Sequence, residues 1–212
     1  MSPMSQEFRD RLAAALAAHR PTKTTLPGTR AAAVLIPVIG SSDPTVLFTQ
    51  RTDTLPKHKG QISFPGGAKD DGETLVGAAL RETAEEIDLE PTLVDVVGEL
   101  DTFPTFVSGY TVTPFVGWLP ERPVLSPNPA EVAAVLEVPL SSLSDEIRAD
   151  PGFEHEQRTY PTEAWIWEGN VIWGVTARIV RQFLEVLAEG GVVKRPGGDG
   201  GWWYRHEPPR AE

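Results

Sequence analysis

Residues 66–89 read GGAKDDGETLVGAALRETAEEIDL, and this stretch decides the fold. If Thr74 to Ile87 is helical, each residue advances about 100° around the axis. Glu82 and Glu86 then stand one turn apart on the same side, with Glu85 beside them. Three carboxylates within one turn repel each other, and like charges at this spacing destabilise an isolated helix. A solvated acidic face is normally laced with Lys or Arg, and here only Arg81 is adjacent. A divalent cation resolves the repulsion. A second pattern runs through the same segment: Val76, Leu80, Thr83 and Ile87 follow i, i+4, i+7, i+11. This spacing predicts a core-facing stripe that points well away from the carboxylates. Gly66, Gly67 and Gly72 precede the helix and predict a sharply turning loop with accessible carbonyls.

An acidic surface helix is the competing reading of the carboxylates alone. The offsets weigh against it: Gly67, five residues, Glu73, seven residues, then Arg81-Glu82-Thr83-Ala84-Glu85-Glu86-Ile87-Asp88-Leu89. This closely resembles the Nudix box, G-x5-E-x7-R-E-U-x-E-E-x-G-U, where U is apolar. Thr83 stands where an apolar residue is usual, and Asp88 where glycine is usual. Upstream, Leu47-Phe48-Thr49-Gln50-Arg51 leads through Leu55 to His58-Lys59-Gly60-Gln61-Ile62-Ser63-Phe64-Pro65-Gly66-Gly67. That run looks like the signature of the coenzyme A pyrophosphatase branch of the Nudix hydrolases. In that branch an arginine often follows the leucine; here Pro56 and Lys57 occupy the region.

The resemblance implies a metal-dependent hydrolase that cuts the diphosphate of coenzyme A, or of its derivatives, to 3′,5′-ADP and (acyl-)phosphopantetheine. It makes Glu82 and Glu86 the first choice of metal ligands. Glu85 contributes to a second ion and the Gly66 carbonyl supplies a further oxygen. Oxygen ligands of this kind suit Mg²⁺ or Mn²⁺. Glu73 is expected to orient the site or pair with Arg81. Arg81 itself is read as a counter-ion, with a direct phosphate clamp as the alternative. The catalytic base comes from the helix or from a later loop, where Glu131 is the candidate; its other reading is a solvated strand-edge residue. Arg51, His58, Lys59, Gln61 and Ser63 are the candidate substrate-binding residues. The altered Pro56 position keeps ADP-ribose, a dinucleotide or a nucleoside triphosphate as the alternative substrate. A non-catalytic nucleotide- or protein-binding domain is the remaining class, and the full carboxylate set argues against it.

The chain has 212 residues, 40% of them hydrophobic, which is enough for one sizeable core. Its net charge of −11 argues against nonspecific nucleic-acid binding, which depends on Lys and Arg. It leaves room for a phosphorylated small molecule, since bound cations supply local positive charge. The absence of cysteine excludes disulfides, thiolate metal sites and a cysteine nucleophile. No apolar run approaches the roughly 18 residues of a membrane span, so no membrane partner is expected. The opening MSPMSQEFRDRL lacks a signal-peptide pattern, and a cytoplasmic location is the expectation.

Along the chain, residues 1–30 read as a helix (Ser5 to His19) and linker, 31–189 as the hydrolase domain, and 190–212 as a Gly/Pro-rich aromatic tail. The apolar run Ala31 to Val38 predicts a central strand. Strands are expected at Thr45 to Arg51, Leu93 to Leu100, Thr111 to Leu119 and Val132 to Val138. Pro114 implies that its strand is an edge or carries a bulge. Ser141 to Pro161 reads as mostly loop. Glu168-Gly169-Asn170 turns a hairpin, in which Trp165, Trp167 and Trp173 are expected to pack rather than stack on adenine. Val175 to Ala188 is a last helix, whose leading Gly174 packs on the sheet. Trp202, Trp203 and Tyr204 are expected to dock on the same chain or on a partner subunit, which leaves a homodimer open. Strands mixed with helices imply an α/β class, an α/β/α sandwich with a mixed sheet.

Overall fold

A computed structural model describes residues 3–52, 60–105, 108–144, 147–149, 153–155, 158–160 and 163–194. The apolar run of the sequence forms β1 (Arg30–Ile39), and β7 (Tyr110–Leu119) pairs with it in parallel over all ten residues. Alternation along β1 sends Ala32, Ile36 and Val38 into one core and Ala33, Leu35 and Ile39 into another. A strand buried on both faces needs helices on both sides. The helix α2 (Leu75–Ile87) covers one face, while α1 (Pro3–Ala18) and α3 (Gly174–Glu189) cover the other. The molecule is therefore an α/β/α sandwich with a mixed sheet.

The sheet is split where the site forms. Strand β2 (Thr45–Arg51) pairs with β1 only through Val46 and Thr45, opposite Val38 and Ile39. Beyond that point the two strands part. The segment β3 (Ile62–Ser63) follows β2, and β4 (Gly66–Ala68) follows β1, so residues 62–68 fill the cleft between them. On its other side β2 pairs along its whole length with β8 (Val132–Pro139), and the register shifts between Gln50 and Arg51. Val132 faces Arg51 and Ala134 faces Gln50, so Ala133 is an extra residue in β8. Such a bulge bends its strand and re-aims nearby side chains.

Pro114 is not on an edge. Its strand β7 lies between β1 and the pair β5 (Asp95–Glu99) and β6 (Phe103–Pro104). Glu99 faces Phe115 and Phe103 faces Val112, so Leu100, Asp101 and Thr102 confront only Thr113 and Pro114. The missing donor of the proline falls at this bulge-like break in the neighbouring strand. Its carbonyl still accepts from the Leu100 amide at 3.0 Å. The irregularity expected of Pro114 is thus carried by its partner.

The polar segment after β8 departs from the loop expected there. It forms β9 (Arg148–Ala149) and an antiparallel ribbon of β10 (Phe153–His155) and β11 (Arg158–Tyr160). Strand β9 pairs with β12 (Ala164–Trp167), which forms the expected hairpin with β13 (Asn170–Trp173). Trp165 is fully buried and donates its indole N–H to the Ala177 carbonyl at 3.2 Å, tying the hairpin to α3. Trp202, Trp203 and Tyr204 lie outside the described residues. No helix among the described residues is long and apolar enough to cross a membrane.

Candidate active site

The helix α2 begins at Thr74, whose side chain accepts a hydrogen bond from the Gly77 amide at 3.1 Å. A threonine in extended conformation there satisfies one orphan donor of the first turn. The helix ends at Asp88, in the left-handed conformation with φ 58°. Glycine is the least strained residue for that role, and Asp is one of the few that tolerates it.

The buried stripe is rotated from the one read off the sequence. It comprises Ala78, Ala79, Thr83, Glu86 and Ile87, while Val76 and Leu80 are only half-buried. Two small alanines let the helix approach the sheet closely. The Thr83 hydroxyl donates to the Ala79 carbonyl at 2.6 Å, so burial leaves it satisfied. The core face and the carboxylate face therefore meet at Glu86, which is 5% exposed, instead of lying well apart.

Glycines make room for the carboxylates. The Gly66 φ of +147° is a conformation that favours glycine, and its backbone presses against Ala33 and Val34 of β1. Its backbone lies near enough to the Glu86 carboxyl to favour the ionised form. A Cβ at Gly67 would lie 2.5 Å from the carboxylate carbon of Glu82. The cleft-filling segment thus brings bare backbone against both acids.

Arg81 is held by a fork. Its Nε and one Nη donate to the two oxygens of Glu73 at 3.0 and 3.2 Å. That Nη also donates to the Ala68 carbonyl, and the other donates to Glu82 at 2.9 Å and to Glu85 at 3.3 Å. Glu73 in turn accepts from the Asp70 amide at 3.1 Å. The Arg81 hydrogen bonds, then the Asp70 amide, hold the Glu73 carboxyl below its ordinary pKa. This geometry makes Arg81 a strut between loop and helix, with its donors spent on protein oxygens.

Burial dominates the other two acids. It raises the Glu82 carboxyl against the opposing pull of Arg81. It pushes Glu86 up to about 8, with Arg51 and the Gly66 amide as weaker opposing influences. One oxygen of Glu86, Oε2, is buried without a hydrogen-bond partner, as is Nε of Arg51. An ionised carboxylate in such a place is costly unless a cation meets it.

A loop completes the cluster. The amides of Ser126 and Asn128 donate to the carbonyls of Ile87 and Glu86, at 3.0 and 2.8 Å, capping the end of α2. The Thr52 amide donates to the Glu131 carbonyl at 2.9 Å. Glu131 is thereby held close enough for its charge to act on both Glu82 and Glu86. Glu131 itself is half-buried in the turn that leads into β8.

The structure therefore gathers Arg51, Gly66, Arg81, Glu82, Glu85, Glu86 and Glu131 at one corner. Ser63 turns instead to Thr49, with hydroxyls 3.5 Å apart. The Gln61 carbonyl accepts from the Arg51 amide at 3.0 Å, and its side chain lies on the α3 side. His58 and Lys59 lie outside the described residues. The role of Asn128 was missed, because a backbone donor leaves no mark in composition or spacing. Among the described residues, no three acidic or histidine side chains stand ready-made around a cation, and Arg81 bridges Glu82 to Glu85. The unpartnered Glu86 oxygen, buried near Glu82 and Glu131, is nevertheless what an oxygen-loving cation requires.

The chain is also similar to known proteins. Residues 29–161 match the family model described as the NUDIX domain. A protein of Cronobacter sakazakii named "Uncharacterized Nudix hydrolase NudL" is 40% identical over 163 residues, 76% of this chain and 84% of its own. The protein of the same name from Photorhabdus laumondii is 41% identical over 170 residues, 78% of this chain and 89% of its own. Among solved structures, DR0079 of Deinococcus radiodurans superposes with a TM-score of 0.50 at 19% identity, covering 74% of this chain and 87% of that one. That likeness concerns the fold alone.

Proposed function

The chain belongs to the Nudix family, and we propose that this pyrophosphohydrolase cleaves the diphosphate of coenzyme A or its derivatives, releasing 3′,5′-ADP and (acyl-)phosphopantetheine. One observation carries the chemical half of this reading: Glu86, buried, with an unpartnered oxygen beside two further carboxylates. The run from His58 to Gly67 supports the choice of substrate.

Glu82 and Glu86, with Glu85, are the residues that would hold Mg²⁺ or Mn²⁺, since an all-oxygen donor set suits hard cations. A divalent ion there offsets the charge of the diphosphate and lowers the pKa of the attacking water. The chain's own residues do the rest. Arg51 turns its guanidinium to the same corner, where its charge would meet a phosphate oxygen. Glu131 takes the proton from the attacking water, held in place by Thr52 and Asn128. Arg81, locked to Glu73, fixes the spacing of loop and helix and leaves the phosphates to others. We place the catalytic domain over residues 31–189, because α3 seals the core on which β1 and β2 rest.

A panel of diphosphates offered with Mg²⁺ or Mn²⁺ tests the reading. Release of 3′,5′-ADP from coenzyme A at the highest kcat/KM is the expected result. Negligible coenzyme A cleavage beside rapid cleavage of ADP-ribose, a dinucleotide or a nucleoside triphosphate would replace it with the second reading, which Pro56 and Lys57 favour.

A further inference from the structure

Gln50 and Arg51 are consecutive in β2 and point to opposite faces of the sheet. Arg51 turns to Glu86 on the α2 side. Gln50 turns to the other side, where a cavity of about 300 Å³ opens between β3 and the β12–β13 hairpin. Gln61, Ile62, Asn170, Val171 and Trp173 complete its working lining. None of the described residues around it is charged. This composition is unlike that of the carboxylate corner one residue away.

We propose that this groove is the subsite for the purine base of the substrate, a specificity pocket separate from the site of bond cleavage. The inference rests on the diphosphate substrate proposed above. Three carboxamides, on Gln50, Gln61 and Asn170, offer paired donors and acceptors, the geometry by which such side chains read the N6/N7 edge of adenine. The half-buried indole of Trp173, read from sequence as a packing residue, and the apolar Ile62 and Val171 offer surface for the ring. The volume sits at the small end of ligand pockets, which suits one base and excludes a whole dinucleotide. The diphosphate is left to Arg51 and the carboxylates on the other face of β2. Gln50 and Arg51, adjacent in β2, would then serve the base and the diphosphate of one substrate.

The experiment is calorimetric binding of ADP and of inorganic pyrophosphate to the metal-loaded full chain and to Gln50→Ala, Asn170→Ala and Trp173→Leu. The expected result is a loss of about tenfold to hundredfold in ADP affinity in each variant, with pyrophosphate affinity unchanged. In turnover, the loss falls on KM for adenine-bearing substrates. ADP affinity within twofold of wild type in all three variants overturns the proposal. So does an equal loss for pyrophosphate, which would mean that the corner itself had been disturbed. If Trp173→Leu fails to fold, the other two variants still decide, since Gln50 and Asn170 are not fully buried. If the wild type cleaves no diphosphate, the proposed function fails, while ADP binding still decides the groove.

Discussion

A Cβ on Gly67 would stand 2.5 Å from the carboxylate carbon of Glu82, so the loop and the helix leave no room for a methyl group between them. Gly67→Ala is expected to cost little stability, because the end of a flexible side chain can swing aside. The swing removes Glu82 from its place. A fall in kcat of about a hundredfold follows from misplacing a reacting group by an ångström. Steady-state kinetics beside a thermal melt checks this; a melt that collapses while the residual activity per folded molecule stays normal would contradict it.

Glu86 yields a paired prediction. Its native carboxyl titrates near 8, raised from 4.5 by burial. Between those values the native protein keeps a proton that the unfolded chain has lost. Metal-free stability therefore declines as pH rises through that window and levels off above it. Glu86→Gln abolishes that decline, raising the metal-free Tm at pH 8 by several degrees, and abolishes turnover. Added Mn²⁺ raises the wild-type Tm most at high pH, where the carboxylate is ionised. Parallel pH slopes in the two proteins would sink the assignment.

Arg81→Lys tests the strut. A lysine cannot fork onto Glu73 while reaching Glu82 and the Ala68 carbonyl. The partly exposed ion pairs are worth little individually, so stability should change by about 1 kcal/mol or less. Activity should fall more, by about tenfold to a hundredfold, with the loss in kcat and in metal affinity. A loss confined to KM would instead mark Arg81 as a phosphate clamp.

Glu131→Gln is expected to lower kcat by about a hundredfold to ten-thousandfold, the range for a lost general base, and to leave Tm nearly unchanged. Unchanged kcat would return Glu131 to the role of a solvated strand-edge residue.

Asp88→Gly should raise stability by about 0.5–1 kcal/mol, since Asp88 holds a left-handed conformation that glycine adopts freely. Chemical denaturation would register it as a higher midpoint with the same slope, and activity should not fall.

Much of this was legible from local rules. Strand β2 spans the residues that its pattern predicts, and β1 lies at the centre because an unbroken apolar run has no solvent face to offer. The left-handed Asp88 and the hairpin turn at Glu168 and Gly169 follow from residue chemistry, whereas Thr74, read as the first helical residue, caps the helix instead. What was not legible depends on tertiary fit. The helix is rotated by the smallness of Ala78 and Ala79 against β1, and that rotation buries Glu86. Pro114 is tolerated because a different strand breaks opposite it. Glu131 is placed by backbone amides reaching carbonyls forty residues away, and no side-chain pattern encodes such bonds.

The hydrogen bond from the Arg51 amide to the Gln61 carbonyl, at 3.0 Å, ties together two residues with nine between them. Lengthening a loop whose ends are already tied is cheap, since doubling its length costs only about 0.6 kcal/mol. Insertions, deletions or grafts inside it leave the glycines and the helix carboxylates where they are. Sequence change in that loop is therefore separable from the seam of glycine and carboxylate beside it.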